Sequence, residues 1–354
     1  MSNDVAATSS ASPLNETQYL FHSEAAENVI GCAMILCSAV IGILANGLSS
    51  FLLLRLSTFR NAFGLLATCQ SIANTVMCIA FAFWAAPTVL LGVPENWGYV
   101  NHFIGQIAIY GQTTTYHAAI SISVNRLMAL ASPYSYRVYF SYKNTLILIV
   151  VINLLSFAYN LVYVFGTCTF YFEASSMVWM FGNDDCSLWI TDYIDFYWSV
   201  LIYMIAAIID IFTLILLRTA NVKLTNSRLT QSDKTSDAMR RQKKEVIFFI
   251  QSFISTVSYC FVLFSFHVIA TLDVVISSRF VTFIFTTFIW TSGHASEGVI
   301  LIIFNTEIKR RIFHPSKLLN SKSDTIMPTV VGAKTSNISS IQGLKSSAGL
   351  ALIS

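Results

Sequence analysis

An all-α membrane protein is the fold this sequence predicts: a seven-transmembrane helix bundle, N-terminus outside, with a short amphipathic helix after the seventh span. Three observations predict it. The 354-residue chain is 55% hydrophobic and only 11% charged, against roughly 25% charged for an ordinary soluble domain. Seven stretches are long enough to cross a hydrocarbon core about 30 Å thick, which takes around 20 apolar residues per helix. The basic residues between those stretches gather on one side, the pattern of cytoplasmic loops.

Residues 1–28 are polar, with four acids and no Lys or Arg. They lack the basic start of a cleavable signal peptide and are read as an extracellular tail. Asn15-Glu16-Thr17 is a glycosylation sequon, usable only on the outside. Residues 29–304 form the transmembrane domain. Its spans are expected at about Val29–Leu54, Phe63–Leu91, Phe103–Leu130, Thr145–Gly166, Ile194–Ala220, Val246–Ala270 and Phe280–Phe304. Pro87 should kink the second span near its outer end, because proline removes one backbone hydrogen bond.

Arg55, Arg60, Arg126, Arg137 and Lys143 fall at one set of helix ends, together with the basic loop from Arg218 to Lys244 and Lys309-Arg310-Arg311. The opposite loops carry Glu95, Glu173, Asp184, Asp185, Asp192 and Asp273, with Arg279 as their only basic residue. This sets the N-terminus outside and the C-terminus inside. Residues 305–314 read as a juxtamembrane amphipathic helix, with Ile308, Ile312 and Phe313 on one face and basic residues within reach of headgroups. Residues 315–354 are rich in Ser, Thr, Lys and Gly and read as a disordered cytoplasmic tail. A net charge of +3 gives no nucleic-acid signature. The bilayer is the partner that the composition implies.

Cys168 and Cys186 bracket the second outer loop. The outside is oxidising, so they can pair, and no helix-three cysteine competes. Two free thiols or an intermolecular link are the alternatives. Trp179 and Phe181 inside the bracket form either a lid over an outer cavity or a small hydrophobic plug. Asn46 and Asn74 are intramembrane amides, read first as packing glue between helices. Asp210 and Glu297 are the acids well inside predicted spans, where ionisable groups are expensive and face the bundle or a wet cavity. They are either a relay or switch linking helices, or hydrogen-bonded acids near the inner end.

His117, His267 and His294 lie on spans three, six and seven and are read as interhelical hydrogen-bonding groups, with no metal expected. Tyr110, Tyr116, Trp198, Tyr203 and Trp290, with Thr113 and Thr114, put polar-tipped side chains in the outer halves of the spans. Convergent groups of this kind describe a small-molecule cavity, although aromatics also belt membrane interfaces. No Lys lies between Lys244 and Lys309, so span seven offers no amine for a Schiff base. No phosphate loop, HExxH or nucleophile–base spacing is present, and neither an enzyme nor a cofactor is expected.

Asn125-Arg126-Leu127, followed by Pro133, resembles the signature closing the third helix of G-protein-coupled receptors. The finer resemblance is to the nematode serpentine chemoreceptors of class x. It is carried by ILANGLSSFLLLRL, FRNAFGLLATCQSIAN, NRLMALASPYSYRVYF, the bracketed loop, YIDFYWS, EVIFFIQ and HASEGVILIIFNTEIKR in that order. The resemblance implies a chemosensory receptor at the plasma membrane, with sensory neuron endings as one candidate location, that binds an extracellular small molecule and activates a heterotrimeric G protein. Arg126 would meet that G protein, beside a basic inner face including Arg240, Arg241, Lys243 and Lys244. Spans six and seven lack the usual proline and Asn-Pro-x-x-Tyr pattern. Glu297 stands where the class commonly shows aspartate. A non-signalling binding or trafficking partner, or a channel using Asp210 and Glu297, are the other readings.

Overall fold

The computed structural model describes residues 13–165, 168–227 and 235–313. The side chains of 13–23, 165, 220–245, 248 and 249 lie outside the description. Asn15, Arg240, Arg241, Lys243 and Lys244 are therefore not placed, nor is the tail expected at 315–354. The helices are α1 (Pro13–Arg55), α2 (Ala62–Leu91), α3 (Gly98–Ala131), α4 (Tyr142–Phe165), α5 (Asp185–Trp189, Ile190–Trp198 and Ser199–Ser227, continuous), α6 (Thr235–His267), α7 (Arg279–Phe304) and α8 (Thr306–Phe313). The outer loop between α4 and α5 is a β-hairpin, β1 (Phe170–Glu173) paired antiparallel with β2 (Val178–Phe181).

Among the described helices, six are apolar enough by composition to cross a membrane, and α3 is not one of them. The reason is its position. It packs against α2, α4, α5 and β1, so its surroundings are protein more than lipid. A polar row, Gln112 to Thr115, can then be buried inside it.

Helix α1 begins 16 residues before the expected span at Val29. Pro13 suits a first helical turn, and hydropathy cannot see a polar extension of a helix. Its 43 residues rise about 65 Å, well beyond the hydrocarbon. In α2 the disturbance expected at Pro87 takes the form of a π-helical turn at Phe81–Ala85. The wider turn makes room where the proline ring would press on the preceding carbonyl. Further π-helical stretches lie at Ile190–Trp198 in α5 and Ile284–Phe288 in α7. Helix α6 runs unbroken, as its lack of proline allows.

Local signals start and stop these helices. Asn61 caps α2, its Oδ1 accepting from Gly64 N at 2.9 Å, and Gly92 ends it at φ 71°. Asn305 separates α7 from α8 and caps the latter, its Oδ1 accepting from Glu307 N and Ile308 N at 3.1 and 3.2 Å. Ile308 is fully buried against Leu53, Phe59, Ala67 and Leu301. That contact folds α8 back under the bundle.

Candidate functional site

The hairpin closes the outer end of the bundle. Cys168 and Cys186 are disulfide-bonded. Beside them Asp184 caps α5, accepting from Ser187 N and Oγ at 2.8 Å each. Burial acts to raise the Asp184 carboxyl, but these hydrogen bonds outweigh it and hold the group below the ordinary carboxylate range. Closing a loop of 18 residues stabilises by about 3 kcal/mol if chain entropy dominates. Cys168→Ser, Cys186→Ser and the double change should therefore give one common defect, read as surface protein and thermal midpoint. Clearly additive defects would contradict the pair.

Asn101 ties the same hairpin to α3. Its Oδ1 accepts from Phe172 N at 3.1 Å and from Trp84 Nε1 at 2.8 Å, while its Nδ2 donates to Phe172 O at 2.9 Å. An amide that meets both backbone groups of one strand residue extends the strand pairing sideways onto the helix. Gly105, one turn below, permits the approach, since a Cβ there would stand 2.3 Å from Phe170 O. Asn101→Leu would orphan three buried partners at about 1–3 kcal/mol each. It should speed hydrogen exchange at the amides of Phe170–Glu173 by at least about tenfold. Unchanged exchange would show that the disulfide alone holds the hairpin.

The turn of the hairpin is pinned as well. Met177 is fully buried with φ 58°, a left-handed conformation that costs a branchless side chain about 1 kcal/mol. Thr287 Oγ1 holds it by donating to Met177 O at 2.8 Å. Arg279 donates to Ser175 O, to Ala174 O at 3.4 Å and to Asn28 Oδ1 at 2.6 Å, and pairs with Glu27 at 3.5 Å. The one outer basic residue is thus a clamp between α1, the hairpin turn and α7. Trp179 is buried as a plug, stacked on Phe170 at 5.6 Å and edge-on to Phe81 and Trp290 at 5.7 and 6.3 Å.

Beneath that plug lies an outer cavity of about 30 Å³, its lining including Phe170, Phe181, Asp195, Phe266, His267 and Trp290, with Gln112 at its floor. Asp195 of α5 and His267 of α6 face each other at 3.5 Å across its side. From the floor a chain of hydrogen bonds runs inward. Gln112 Oε1 is 3.0 Å from Trp290 Nε1 and 2.8 Å from His294 Nε2. His294 Nδ1 is 2.7 Å from Asn74 Oδ1, which also meets Thr115 Oγ1 at 3.0 Å and the Tyr259 hydroxyl at 3.1 Å. Asn46 Nδ2 donates to His294 O at 3.0 Å. Gly298 lets α1 come this close, because a Cβ there would stand 2.5 Å from Asn46 N.

The chemistry of this chain allows two arrangements. Trp290 Nε1 can only donate, so Gln112 presents oxygen and His294 Nε2 carries a hydrogen. That singly protonated ring accepts at Nδ1 from the Asn74 amide nitrogen once the amide turns over. If Trp290 finds another acceptor and Gln112 turns over as well, the ring carries its one hydrogen on Nδ1 instead and donates to Asn74 Oδ1. Asn74 Nδ2 has no other hydrogen-bond partner among the described residues, and the Thr115 and Tyr259 hydroxyls can each donate or accept.

Asn74 and Tyr259 also line an inner cavity of about 30 Å³, room for one or two waters. Arg126 and Glu297 share that lining with Gln251 and Ser255. The Arg126 guanidinium carbon stands 4.9 Å over the Phe63 ring, a cation–π contact. Asp210 is fully buried and accepts from Thr256 Oγ1 at 2.8 Å, joining α5 to α6. Arg126 lies close enough to Asp210 and Glu297 to feel both charges. Yet Arg126 Nη1, Asp210 Oδ1 and Glu297 Oε1 each lack a hydrogen-bond partner among the described residues. Asn125 is buried, and its Nδ2 likewise meets none there. Leu127 is half-buried, and Pro133 opens a short helix, Pro133–Tyr139, along the inner surface.

The aromatic and hydroxyl residues singled out in the sequence do not all meet in one place. Trp290 and His267 line the outer cavity. Tyr116 and Tyr203 pack with Tyr259 in a tyrosine cluster below it, with the His117 ring tilted against Tyr116 at 4.6 Å. Tyr110 turns toward α4, donating to Asn153 Oδ1 at 2.6 Å, and Thr114 lines the same α2–α4 cleft. Thr113 is buried and donates to Tyr110 O at 3.0 Å. Trp198 is 44% exposed on the outer flank of α5. Sequence reasoning missed Asn101, Gln112, Asp195 and the clamp role of Arg279. Gln112 carried a signal, as a polar residue well inside the third apolar run, whereas Asp195 stands at the very start of the fifth and carried none.

A family profile described as serpentine-type 7TM GPCR chemoreceptor Srx matches residues 36–305. Serpentine receptor class X 45 of Caenorhabditis elegans is 26% identical over 298 residues, covering 81% of this chain and 82% of its own length. The crystal structure of squid rhodopsin superposes with a TM-score of 0.67 at 12% identity, covering 85% of this chain and 89% of that one. At that identity the likeness is one of fold.

Proposed function

This chain belongs to the serpentine-type seven-transmembrane G-protein-coupled chemoreceptors of the Srx family, and on that premise we propose that it binds an external small molecule in its outer cavity and activates a heterotrimeric G protein from its inner face. Its place would be the plasma membrane, at sensory endings if it follows the family's role. The family and fold are those of receptors, not enzymes.

The observation that carries this reading is the hydrogen-bonded chain Trp290–Gln112–His294–Asn74–Tyr259, which starts at the outer cavity and ends in the wall of the inner one. A ligand can shift a two-state element only by binding its states unequally. A ligand touching Trp290 or Gln112 would favour one of the two proton arrangements of His294 and Asn74. Tyr259, on α6, would then hand that preference to the region where Arg126, Asp210 and Glu297 each keep one atom without a hydrogen-bond partner among the described residues. A differential affinity of a few kcal/mol makes a useful shift.

The test is a calcium or cAMP response to a panel of extracts and volatiles, in cells displaying the protein with and without functional Gα subunits. A response that needs Gα is expected. A response of equal size without Gα would move the reading to a channel through Asp210 and Glu297.

A further inference from the structure

We propose that the outer cavity, once its walls part beyond the roughly 30 Å³ they enclose here, selects small organic cations, protonated amines bearing an apolar substituent, with Asp195 as their counter-ion. The proposal rests on the reading of this cavity as the ligand site and gives that ligand a chemical class.

Among the described residues lining the cavity, Asp195 is the one carboxylate. It is part-buried, its side chain 16% exposed, and a carboxylate so placed asks for a donor or a cation. The other polar acceptor there, Gln112 Oε1, already serves Trp290 and His294. Asp195 has His267 at 3.5 Å, a base that cancels the acid's charge only when it takes up a proton. The remaining wall is apolar, the rings of Phe170, Phe181, Phe266 and Trp290 together with Ile109, Val262 and Leu263. Ring faces attract cations and accept alkyl or aryl groups alike. An ammonium donates only, so it matches an acceptor-only carboxylate. An anion would meet like charge. A neutral apolar molecule would strip water from Asp195 and return nothing.

The approach to the cavity has the same sign. The outer loops hold Glu95, Glu173, Asp184, Asp185, Asp192 and Asp273, against Arg279 alone. Arg279 is itself occupied by Glu27 and Asn28. A field of this kind concentrates cations at the mouth. Binding would also act on the helices. Asp195 belongs to α5 and His267 to α6, so an amine that takes over Asp195 replaces a direct α5–α6 contact by one through the ligand.

The experiment does not require the natural ligand. Full-length protein carrying Phe266→Cys at the cell surface is treated with a cationic and an anionic methanethiosulfonate of equal size. Rates are corrected for the parent protein's own cysteines and for the same two reagents on a free thiol. The corrected cation-to-anion ratio should exceed about tenfold, the effect of a ~1.4 kcal/mol preference. It should fall toward unity with Asp195→Asn, persist with Asp195→Glu, and persist with Asp192→Asn, which removes an exposed acid.

A ratio near unity in Phe266→Cys, no labelling above the parent, or a ratio unmoved by Asp195→Asn would overturn the proposal. A Gα-dependent response to a neutral compound that survives Asp195→Asn at full potency would overturn it too, while leaving the receptor reading intact. A high, Asp195-dependent ratio in a protein whose responses ignore Gα would uphold the cation site and remove the receptor reading.

Discussion

Arg126→Ala should abolish Gα-dependent signalling while leaving most of the protein at the cell surface. In the structure Arg126 lines the inner cavity, its guanidinium over the Phe63 ring, with no ion pair to a carboxylate among the described residues. The residue before it is Asn125, so no neighbouring acid on α3 can pin it. Asp210 and Glu297, from α5 and α7, act on it at a distance. Because Nη1 has no hydrogen-bond partner among the described residues, removing it strands no donor or acceptor there. The loss should therefore fall on coupling more than on folding. A coupling free energy of 1–3 kcal/mol corresponds to about 5–150-fold in response. Arg126→Lys keeps the charge but not the planar stacking group and should fall between. Full signalling by Arg126→Ala would contradict this assignment. Loss of surface protein with intact signalling per molecule would make Arg126 a folding residue.

The second large effect is expected from Asn74→Leu. This change roughly conserves volume, yet it removes the oxygen that meets Thr115, Tyr259 and His294 at 3.0, 3.1 and 2.7 Å. Each buried group left unpartnered costs about 1–3 kcal/mol. Some of that is recovered if the hydroxyls turn to one another, so a net loss of about 3 kcal/mol is expected. For a chain of this size the thermal midpoint of the purified protein should fall by roughly 4 °C. Signalling per surface molecule should also fall, because Tyr259 loses its link to His294. Asn74→Ser, which keeps an acceptor, should recover part of both. A variant as stable as wild type that signals normally would show that Asn74 is packing filler.

Much of the fold was legible because hydropathy and charge are one-dimensional signals. The apolar runs mark the spans, the Arg and Lys positions orient them, and Ile308 with Ile312 marks α8. The polar start of α1 was not legible, since a helix outside the hydrocarbon looks like any polar segment. The strongly buried character of α3 was half-legible: its glutamines and threonines lower its hydropathy for the same reason that they matter. At the site, Asn74, His294, Trp290, Arg126, Asp210 and Glu297 stood out singly as polar groups in lipid-length runs. Their grouping did not, because His294 meets Asn74 across 220 residues of chain. Asn101 was invisible for another reason. An asparagine at a helix end has many uses, and only the approach of Phe172 reveals which one applies.

Guanine-nucleotide exchange on purified Gα, driven by the full-length protein in lipid nanodiscs, would test the receptor reading at its root. It would be followed with and without an extract fraction active in cells. Exchange should accelerate only when the protein and the active fraction are both present, and Arg126→Ala and Asn74→Leu should each abolish the acceleration. An active fraction that drives current or calcium entry through the protein, with no effect on any Gα tested, would refute that reading.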